Sequence, residues 1–476
     1  MPAGLRREHR TTPGRCPMST ATQVAYFVTS LCFILALKGL SSPKTARNGN
    51  LIGAFGATLA VVVTVAQRGL GHRPLIIGAI VVGTALAVPA ARVVKMTAIP
   101  QMVALFNGVG GGAAMLVALD EYVHLHKVDS TAAAIAVAFT AIVGSVSFTG
   151  SLITFAKLQE LMTGRPILVP GAQIVTCAVG LGAVGCGIAA VAASSVPLAV
   201  ICTGLSLVLG VLFVLPVGGA DVPVVISLLN AFTGLTVAAS GYVLNNTLLI
   251  VAGTLVGASG TMLTQLMARA MGRRITGVLF GAFSGPSTAG STAEVVSSDR
   301  AVRSAGADDI AILLAYARKV AIVPGYGLAV AQAQHTCREL VDLLESRGVQ
   351  VFYAIHPVAG RMPGHMNVLL AEANVPYEQL KEMDDANPEF SSTDVAVVVG
   401  ANDVVNPAAR DSVGSPIFGM PILNVDEAAN VVFMKRSLRP GFAGIDNALL
   451  YHPKTTLFFG DAKDSLSKLV AAVKLL

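Results

Sequence analysis

Nine long apolar segments dominate the first 270 residues of the chain. Each is close to the length of about 20 residues that an α-helix needs to cross the hydrocarbon core of a bilayer. The chain as a whole is only 13% charged, which is about half the share usual in soluble proteins. The sequence therefore predicts a polytopic α-helical membrane domain of about nine spans. The segments are roughly 22–40, 49–66, 74–91, 99–119, 131–155, 170–192, 196–215, 222–243 and 246–268.

The Lys and Arg residues between these segments predict how the chain crosses the membrane. Cytoplasmic connections carry an excess of Lys and Arg, and one set of alternate connections has nine of them against three in the other. We therefore expect the first set, and everything after Met271, on the cytoplasmic side. Nine spans then place the N-terminus outside, which four arginines among residues 1–17 oppose, so residues 1–20 are treated as an N-terminal extension with Met18 as an alternative start. The larger set is Lys44, Arg47, Arg92, Lys95, Lys157, Arg165, Arg269, Arg273 and Arg274, and the smaller set is Arg68, Arg73 and Lys127.

Charge and cysteine patterns argue against two other kinds of function. The net charge is +6, but the basic residues mostly flank the apolar segments and form no long run with interleaved aromatic residues, so nucleic-acid binding is not expected. The six Cys residues have neither CxxC nor metal-ligand spacing and are expected to be reduced packing residues. His124 and His126 share an external connection with Asp120 and Glu121. A metal site is an alternative there, but a solvated loop is favoured and no metal site is predicted.

Polar residues inside the predicted spans are candidates for function, because burying them in lipid is costly. Asn230 lies about nine residues into its span, close to mid-membrane. Hydrogen bonding between helices and a path for water or protons both explain such residues, and the sequence leaves the two open. Glycine motifs predict close helix contacts. The polar residues are Asn107, Ser145, Ser147, Ser151, Asp221 and Asn230, and the glycine motifs are Gly108–Gly112, Gly182–Gly185 and Gly253–Gly257.

The composition changes to that of an ordinary α/β domain after about residue 295. Residues 270–300 are rich in Gly, Ser, Thr and Arg without periodicity, which predicts a linker. Apolar strands then alternate with helices, which predicts a parallel sheet covered on both faces. The expected strands are 320–323, 349–355, 394–399, 429–434 and 456–459, and the expected helices are 308–319, 328–346, 366–373 and a closing helix.

A glycine turn follows the first of these strands, in the segment from Ile322 to Gln334. Gly325-Tyr326-Gly327 stands between the strand and the helix, with small Ala329 and Ala331 following. Glycines permit a tight turn and the close approach of a pyrophosphate, which the helix N-terminus then faces. Only two of the three glycines of the dinucleotide-binding fingerprint are present, so the turn alone is a weak signal. Together with the strand–helix alternation it predicts a Rossmann-like α/β domain with a parallel sheet.

The segments that follow the strands are polar or glycine-rich, and ligands of open α/β sheets bind beyond the carboxyl ends of the strands. The second strand ends in Ala354-Ile-His-Pro357 without the acidic residue that takes the ribose 2′-hydroxyl of NAD. Lys435-Arg436-Ser437 offers two cations and a hydroxyl after a later strand, which suits a phosphate and favours NADP over NAD. An exposed basic pair is the alternative interpretation of Lys435 and Arg436.

At this point several motifs, in their order and spacing, closely resemble the beta subunit of proton-translocating NAD(P)+ transhydrogenases. The resemblance extends over nearly the whole chain from about residue 20. It implies a transmembrane proton-channel domain at 21–269, a linker at 270–300 and an NADP(H)-binding domain at 301–476. The motifs are Pro324–Gln334, Ile355–Ala373, Val399–Pro407, Gly419–Pro421, Lys435–Ser437 and Gly460–Lys463.

The resemblance assigns residues in every strand-end segment to NADP(H). Lys435 and Arg436 would hold the 2′-phosphate, and Asp403 is a candidate for coupling protonation to nucleotide affinity. The pyrophosphate and nicotinamide surroundings would be Gly325, Tyr326, Gly327, Leu328, Ala329, Val330, Val358, Ala359, Gly360, Arg361, Met362 and Pro363. A further loop would be Gly400, Ala401, Asn402, Asp403, Val404, Val405 and Asn406, with Gly419 and Met420. A lid would be Ser437, Leu438, Arg439, Pro440, Gly441 and Phe442, and Asp461 and Ala462 would contact the adenosine end.

The resemblance also implies the activity and the partners. Members of the family transfer hydride between NADH, bound to a separate alpha subunit, and NADP+, with proton movement across the membrane. No catalytic acid or base is expected in this chain, because the cofactors carry the chemistry. A bacterial inner membrane, a cytoplasmic NADP(H) domain and a dimer of alpha–beta units are implied too. On the proton path, Asn230 and Ser151 match polar positions, and Asn107 and Asp221 are added as candidates.

Two positions depart from the family pattern. Asn107 stands where some members carry a protonatable His, which implies that the proton carrier lies on the partner subunit. Phe442 stands where many members have Tyr, which implies weaker lid contacts. A channel or transporter with a regulatory nucleotide-binding domain is the main alternative, but it predicts charged residues at mid-span, and the sequence has none there. A reductase anchored to the membrane would need only one span.

Overall fold

The computed structural model describes most of the chain. It covers residues 20–66, 72–94, 98–124, 131–159, 161–163, 167, 171–218, 221–271, 275, 302–360, 364–412, 415, 417–441 and 443–476. The N-terminal extension up to residue 19 and nearly all of the expected linker lie outside the described residues.

Nine helices of the described chain are long and apolar enough to cross a membrane, which confirms the expected spans. Their ends differ from the sequence expectation by a few residues, because polar residues such as Lys157 continue a helix beyond its apolar stretch. The helices are α1 Thr20–Leu40, α2 Pro43–Ala66, α3 Arg73–Val93, α4 Ile99–His124, α5 Thr131–Leu158, α6 Ala172–Ala193, α7 Val196–Val214, α8 Val222–Val243 and α9 Thr247–Ala270.

Glycines allow the closest helix contacts in this bundle. A Cβ atom on Gly253 of α9 would lie 2.3 Å from the backbone nitrogen of Ala238 on α8, and one on Gly234 would lie 2.5 Å from the nitrogen of Gly257. Gly111 of α4 meets the backbone of Gly144 on α5 in the same way. The expected motifs at Gly253–Gly257 and Gly108–Gly112 therefore both bring two helix backbones into contact. The motif at Gly182–Gly185 does not, because a Cβ on Gly185 would meet nothing within 4 Å.

The second half of the chain forms a six-stranded sheet whose described strand pairs are all parallel. Alternate residues of β1 supply the two faces: Val320 and Ile322 pack into one apolar core, and Ala321 and Val323 into the other. Both faces are covered by helices, as expected for a parallel sheet. The strands are β1 Lys319–Pro324, β2 Gln350–Ile355, β3 Leu380–Glu382, β4 Val395–Val399, β5 Asn430–Lys435 and β6 Thr455–Phe459. The helices are α10 Ala307–Ala315, α11 Tyr326–Val330, α12 Gln334–Ser346, α13 His365–Glu372, α14 Met383–Phe390, α15 Ala408–Asp411 and α16 Ala462–Leu475.

The strand order is β3-β2-β1-β4-β5-β6, the order of the Rossmann fold, which confirms the predicted class. The order reverses between β1 and β4. Ligands of such sheets bind at this switch point, outside the carboxyl ends of the strands. The turns that follow β1 and β4 are therefore the expected place for a ligand.

Three expectations about local structure need correction. The helix expected at 328–346 is two helices, because Gln332 adopts φ +50° and the Ala333 N–H bonds to the Leu328 carbonyl at 3.1 Å, which ends the first helix in a Schellman turn. The helix expected at 308–319 ends at Ala315, since Lys319 already belongs to β1. Strand β3 was not expected, because a three-residue edge strand shows no apolar alternation.

Candidate functional site

Two glycine turns meet at the switch point. The Gly327 N–H donates to the Gly400 carbonyl at 2.9 Å, and the Gly325 N–H donates to the Val399 carbonyl at 2.9 Å. Gly400 has φ +69°, and a Cβ there would lie 2.4 Å from the Gly327 Cα. Neither turn could carry a side chain at this contact. The turns after β1 and β4 therefore form one rigid floor at the carboxyl end of the sheet.

The short helix α11 begins immediately after this floor. Leu328 and Ala329 are buried in the core, whereas Tyr326 is half-buried and Val330 is exposed. The Tyr326 ring lies 6.4 Å from the His365 ring, measured between centroids. In the segment Gly325–Val330, which the resemblance assigns to the nucleotide, only Tyr326 and Val330 therefore have accessible side chains for a ligand. The other residues can contact it only through their backbone.

The loop after β2 lies beside Tyr326. Val358 and Gly360 are half-buried and Ala359 is buried. Gly360 adopts φ +109°, and a Cβ there would lie 2.5 Å from the His365 Nδ1 atom. Arg361, Met362 and Pro363 fall outside the described residues.

The loop after β4 is tied to the end of β5. Lys435 Nζ donates to Asn402 Oδ1 at 2.9 Å and to the Arg439 carbonyl at 3.3 Å. Burial lowers the pKa of Lys435, and the negative charges of Asp403 and Asp446 oppose that shift. Arg436 and Ser437 are exposed next to it. The end of β5 thus presents the hydrogen-bonded ammonium group of Lys435 beside the exposed guanidinium of Arg436 and the hydroxyl of Ser437. These three groups together can bind a phosphate.

The Asp403 carboxylate holds the segment that follows β5. It accepts hydrogen bonds from the Ala443 N–H at 2.9 Å and from the Asn402 amide at 3.0 Å. A Cβ on Gly441 would lie 2.5 Å from Asp403 Oδ1, so the backbone of the expected lid passes directly over this carboxylate. Phe442 falls outside the described residues.

Two buried asparagines anchor the far end of the same segment. The Asn406 amide donates to the Asp446 carbonyl at 3.1 Å, and the Asn447 amide donates to the Asn402 carbonyl at 3.2 Å. Asn406 was assigned to the nucleotide, whereas Asn447 was missed by the sequence. The polar cluster Asp446-Asn447 just before apolar Leu449 and Leu450 was the available signal, since Asn447 caps the turn there by accepting from the Leu449 N–H.

The remaining assigned residues occupy neighbouring strand ends. Asp461 follows β6 and caps α16 by accepting the Lys463 N–H at 3.0 Å. Gly419 has φ +81° and is exposed. Among the assigned residues of this domain, those buried in the core are Gly325, Leu328, Ala329, Ala359, Ala401, Val405, Asn406, Met420 and Ala462. Those half-buried or exposed are Tyr326, Gly327, Val330, Val358, Gly360, Gly400, Asn402, Asp403, Val404, Gly419, Lys435, Arg436, Ser437, Leu438, Arg439, Pro440, Gly441 and Asp461.

A polar cluster joins three membrane helices. The buried Asn107 amide on α4 donates to Ser151 Oγ at 2.9 Å and to Ser147 Oγ at 3.3 Å, both on α5. Ser147 Oγ in turn lies 2.5 Å from Thr233 Oγ1 and 3.0 Å from the Leu229 carbonyl on α8. Thr233 was missed by the sequence, although it follows Leu229 by one helical turn.

The structure does not bring all of the expected membrane residues together. Asn230 is half-buried and adjoins Leu229, whose carbonyl closes the cluster. Asp221 is the residue that immediately precedes α8, about 13 Å along the helix from Asn230 at 1.5 Å per residue. Ser145 is buried but bonds within its own helix, to the Ala141 carbonyl.

Lys157 has a different setting from the connection in which the sequence placed it. It lies in the last turn of α5, is buried, and donates to the carbonyls of Val214, Leu215 and Val217 at 3.1, 2.6 and 2.8 Å. These contacts use all three ammonium protons and cap the C-terminus of α7.

Comparison with known proteins decides the family. The chain matches the family model described as NAD(P) transhydrogenase beta subunit over residues 22–472. The chain belongs to that family. A protein of Rhodospirillum rubrum named NAD(P) transhydrogenase subunit beta is 44% identical over 462 residues, which cover 95% of this chain and 99% of that protein. A second relative of the same name, from a defined strain of that organism, has the same identity and coverage.

Family membership confirms the resemblance seen in the motifs. It makes this chain the beta subunit of a transhydrogenase, an oxidoreductase whose cofactors are nicotinamide nucleotides, and it implies an alpha subunit as partner. The nine long apolar helices among the described residues agree with a membrane protein. In the described residues no group of three or more His, Cys, Asp or Glu side chains could hold a metal ion.

Proposed function

We propose that this chain binds NADP(H) at the carboxyl end of its sheet and exchanges hydride with NADH held by the alpha subunit. Hydride transfer is coupled to proton movement across the membrane. The observation that carries the proposal is the junction at Gly327 and Gly400, with Lys435 and Arg436 beside it. The turns at Gly327 and Gly400 form a surface on which a dinucleotide can lie at the switch point. The cationic side chains of Lys435 and Arg436, at the carboxyl end of β5, suit the extra phosphate of NADP(H).

The described residues fit this cofactor. Lys435 Nζ is held by Asn402 and Arg439 and keeps one proton for a further acceptor. Arg436 is exposed and its guanidinium is free to bind phosphate in a bidentate way. Bound NADP(H) supplies the hydride chemistry. The chain positions the nicotinamide, and no residue of the site has to act as an acid or base.

Asp403 is the residue that we assign to coupling. As a carboxylate it accepts the Ala443 N–H, which fastens the segment Ser437–Gly441 over the site. A protonated Asp403 loses part of its acceptor strength, so the lid is held less firmly and the nucleotide exchanges more readily. Proton binding and nucleotide binding would then be linked reciprocally, as coupled equilibria must be.

The membrane cluster is the second half of the coupling. Asn107 and Ser151 form one interhelical contact, and Asn230 lies beside its end on α8. We assign the cluster to the proton path, with the titrating group on the alpha subunit. The expected linker at 270–300 would transmit the change to the NADP(H) domain. The expected surroundings are a bacterial inner membrane, a cytoplasmic NADP(H) domain and two alpha–beta units.

The test uses the full chain with its alpha subunit in closed lipid vesicles. NADH and NADP+ are supplied on the side of the soluble domains, and NADPH formation and the internal pH are followed together. We expect hydride transfer that changes the internal pH and that slows when a pH gradient opposes it. Solute movement without NADPH formation would favour a transporter and contradict the proposal.

A further inference from the structure

His356 is a buried histidine at the end of β2, outside the residues assigned to the nucleotide. Its side chain and backbone are only 1% exposed. The Val358 N–H approaches its Nδ1 atom at 3.2 Å, and its Nε2 atom lies 2.8 Å from the Pro421 carbonyl. A backbone N–H can only donate and a carbonyl can only accept, so Nδ1 is the acceptor and Nε2 carries the proton.

This ring connects two segments that lie far apart in the chain. Val358 opens the loop after β2, and Pro421 directly follows Gly419 and Met420. Both segments belong to the proposed NADP(H) site. Burial lowers the pKa of His356 to about 4, so the ring is neutral near pH 7 and keeps both hydrogen bonds. A protonated ring would direct a second N–H at the Val358 N–H, and that contact would be lost.

A second histidine supports the other side of the same loop. His365, at the start of α13, is also buried and fills the space where Gly360 lacks a side chain. Its ring lies against Tyr326, which follows the glycine turn of β1. The loop Val358–Gly360 is therefore held from one end by His356 and from the other by His365, between the turn after β1 and the segment at Gly419–Pro421.

We propose that His356 is a positioning residue for NADP(H): it fixes the loop after β2 to the segment Gly419–Pro421 without touching the nucleotide. The proposal rests on the proposed function, because it needs the nucleotide to bind at this edge of the sheet. Loss of either hydrogen bond leaves the loop free to move, so the bound nucleotide must then order it and is bound more weakly.

Two substitutions separate the two hydrogen bonds. In His356→Asn the amide oxygen occupies the place of Nδ1 and can still accept from Val358, but nothing reaches Pro421. In His356→Gln the amide nitrogen occupies the place of Nε2 and can still donate to Pro421. His452→Asn is the matched control, because the exposed His452 accepts the Lys454 N–H at 3.4 Å in the same way, next to the amino end of β6 and away from the proposed site.

The experiment titrates NADPH into the full-length chain in detergent and measures the KM for NADP+ and for NADH with the alpha subunit present. We expect each His356 variant to weaken NADPH binding about fivefold. The KM for NADP+ should rise by a similar factor, while the KM for NADH stays unchanged. The His452 variant should match the wild-type chain in NADPH affinity and in both KM values.

The outcomes separate the inference from the proposed function. If the wild-type chain binds NADPH and both His356 variants bind it equally well, the inference is wrong even if their thermal midpoints fall, because His356 is then only a stabilising residue. If the wild-type chain does not bind NADPH, the proposed function itself is wrong, and the inference with it.

Discussion

The membrane helices and the α/β domain both use glycines where two backbones meet, and they use them differently. In the membrane, Gly234, Gly253 and Gly257 let α8 and α9 lie together over several turns. In the α/β domain, Gly327 and Gly400 meet at one point, the switch point of the sheet. The first contact holds two helices together, whereas the second lies at the proposed NADP(H) site. Glycine spacing alone does not distinguish them, but the surrounding pattern of strands and helices does.

Polar groups differ between the two regions in the same way. The membrane cluster is small, and its amide and hydroxyl groups bond to one another across α4, α5 and α8. The carboxyl edge of the sheet instead leaves Arg436, Ser437 and Asp461 exposed to a ligand. Polar residues in lipid must pair within the protein, whereas those at the sheet edge are free to bind. The described polar groups in the membrane helices thus join helices to one another, and those at the sheet edge are available to a ligand.

The largest expected effect comes from Gly400→Val. Its Cβ would collide with the Gly327 backbone and its φ of +69° would be strained, which should destabilise the α/β domain by roughly 3 kcal/mol or more. Gly348→Ala is the control, because Gly348 also has positive φ but would meet nothing within 4 Å, so it should cost only about 1 kcal/mol. Denaturant unfolding of the full chain, followed in the α/β domain, measures both. Equal losses would contradict a special role for the junction.

The contact between α8 and α9 in the membrane is the counterpart of this junction. Gly253→Val should push α8 and α9 apart while leaving NADPH affinity within about twofold, if the glycine contact there is scaffold rather than site. Gly185→Val on α6 is the control, since the space around that Cβ is open. Detergent stability and NADPH titration are the measurements. A large loss of NADPH affinity in Gly253→Val alone would show that the two glycine contacts do not differ as described.

The next effect is a pH dependence centred on His356. The folded-state pKa of about 4 lies below the unfolded value near 6.5, so the unfolded chain takes up the proton first as the pH falls. Stability from this group is complete above about pH 6.5 and is lost progressively down to about pH 4, with about 2 kcal/mol gone at pH 5. Thermal unfolding at pH 7 and pH 5 should show a smaller pH effect in His356→Gln than in the wild-type chain. An equal effect in both would contradict a neutral His356.

The smallest expected structural effect concerns the membrane cluster. Asn107→Leu leaves the Ser147 and Ser151 hydroxyls without their amide donor and should cost about 1–2 kcal/mol of bundle stability. The same change, and Asn230→Leu, should uncouple proton movement from hydride transfer while NADPH binding stays intact. Ser259→Ala, which removes an exposed hydroxyl group from α9, is the control. Unchanged proton movement in Asn230→Leu would remove that residue from the proposed path.

Much of this architecture follows from sequence patterns with a direct physical cause. Nine apolar stretches of membrane length predict the nine long helices of the part of the chain that the structure describes, and alternating strands and helices predict its parallel sheet. The short edge strand β3 and the break at Gln332 were missed, because the three residues Leu380-Lys381-Glu382 are too few to show a strand pattern and an αL glutamine has no sequence signature. At the candidate site, Lys435 was singled out by its place after a strand, and Asp403 was assigned by the family resemblance. His356, Asn447 and Thr233 were not, because their roles depend on partners that are distant in sequence, such as Pro421, Asn402 and Ser147.

We propose that the end of β5 selects NADP(H) over NAD(H), and one binding experiment tests this selection. NADPH and NADH are titrated into the full-length chain and into its Lys435→Ala/Arg436→Ala variant. Lys468→Ala/Lys474→Ala, which removes two exposed cations from α16, is the control. We expect tight NADPH binding and weak NADH binding by the wild-type chain, an approximately hundredfold loss of NADPH affinity in the first variant, and no loss in the control. Equal binding of the two nucleotides by the wild-type chain, or NADPH binding that the double substitution leaves unchanged, would contradict it.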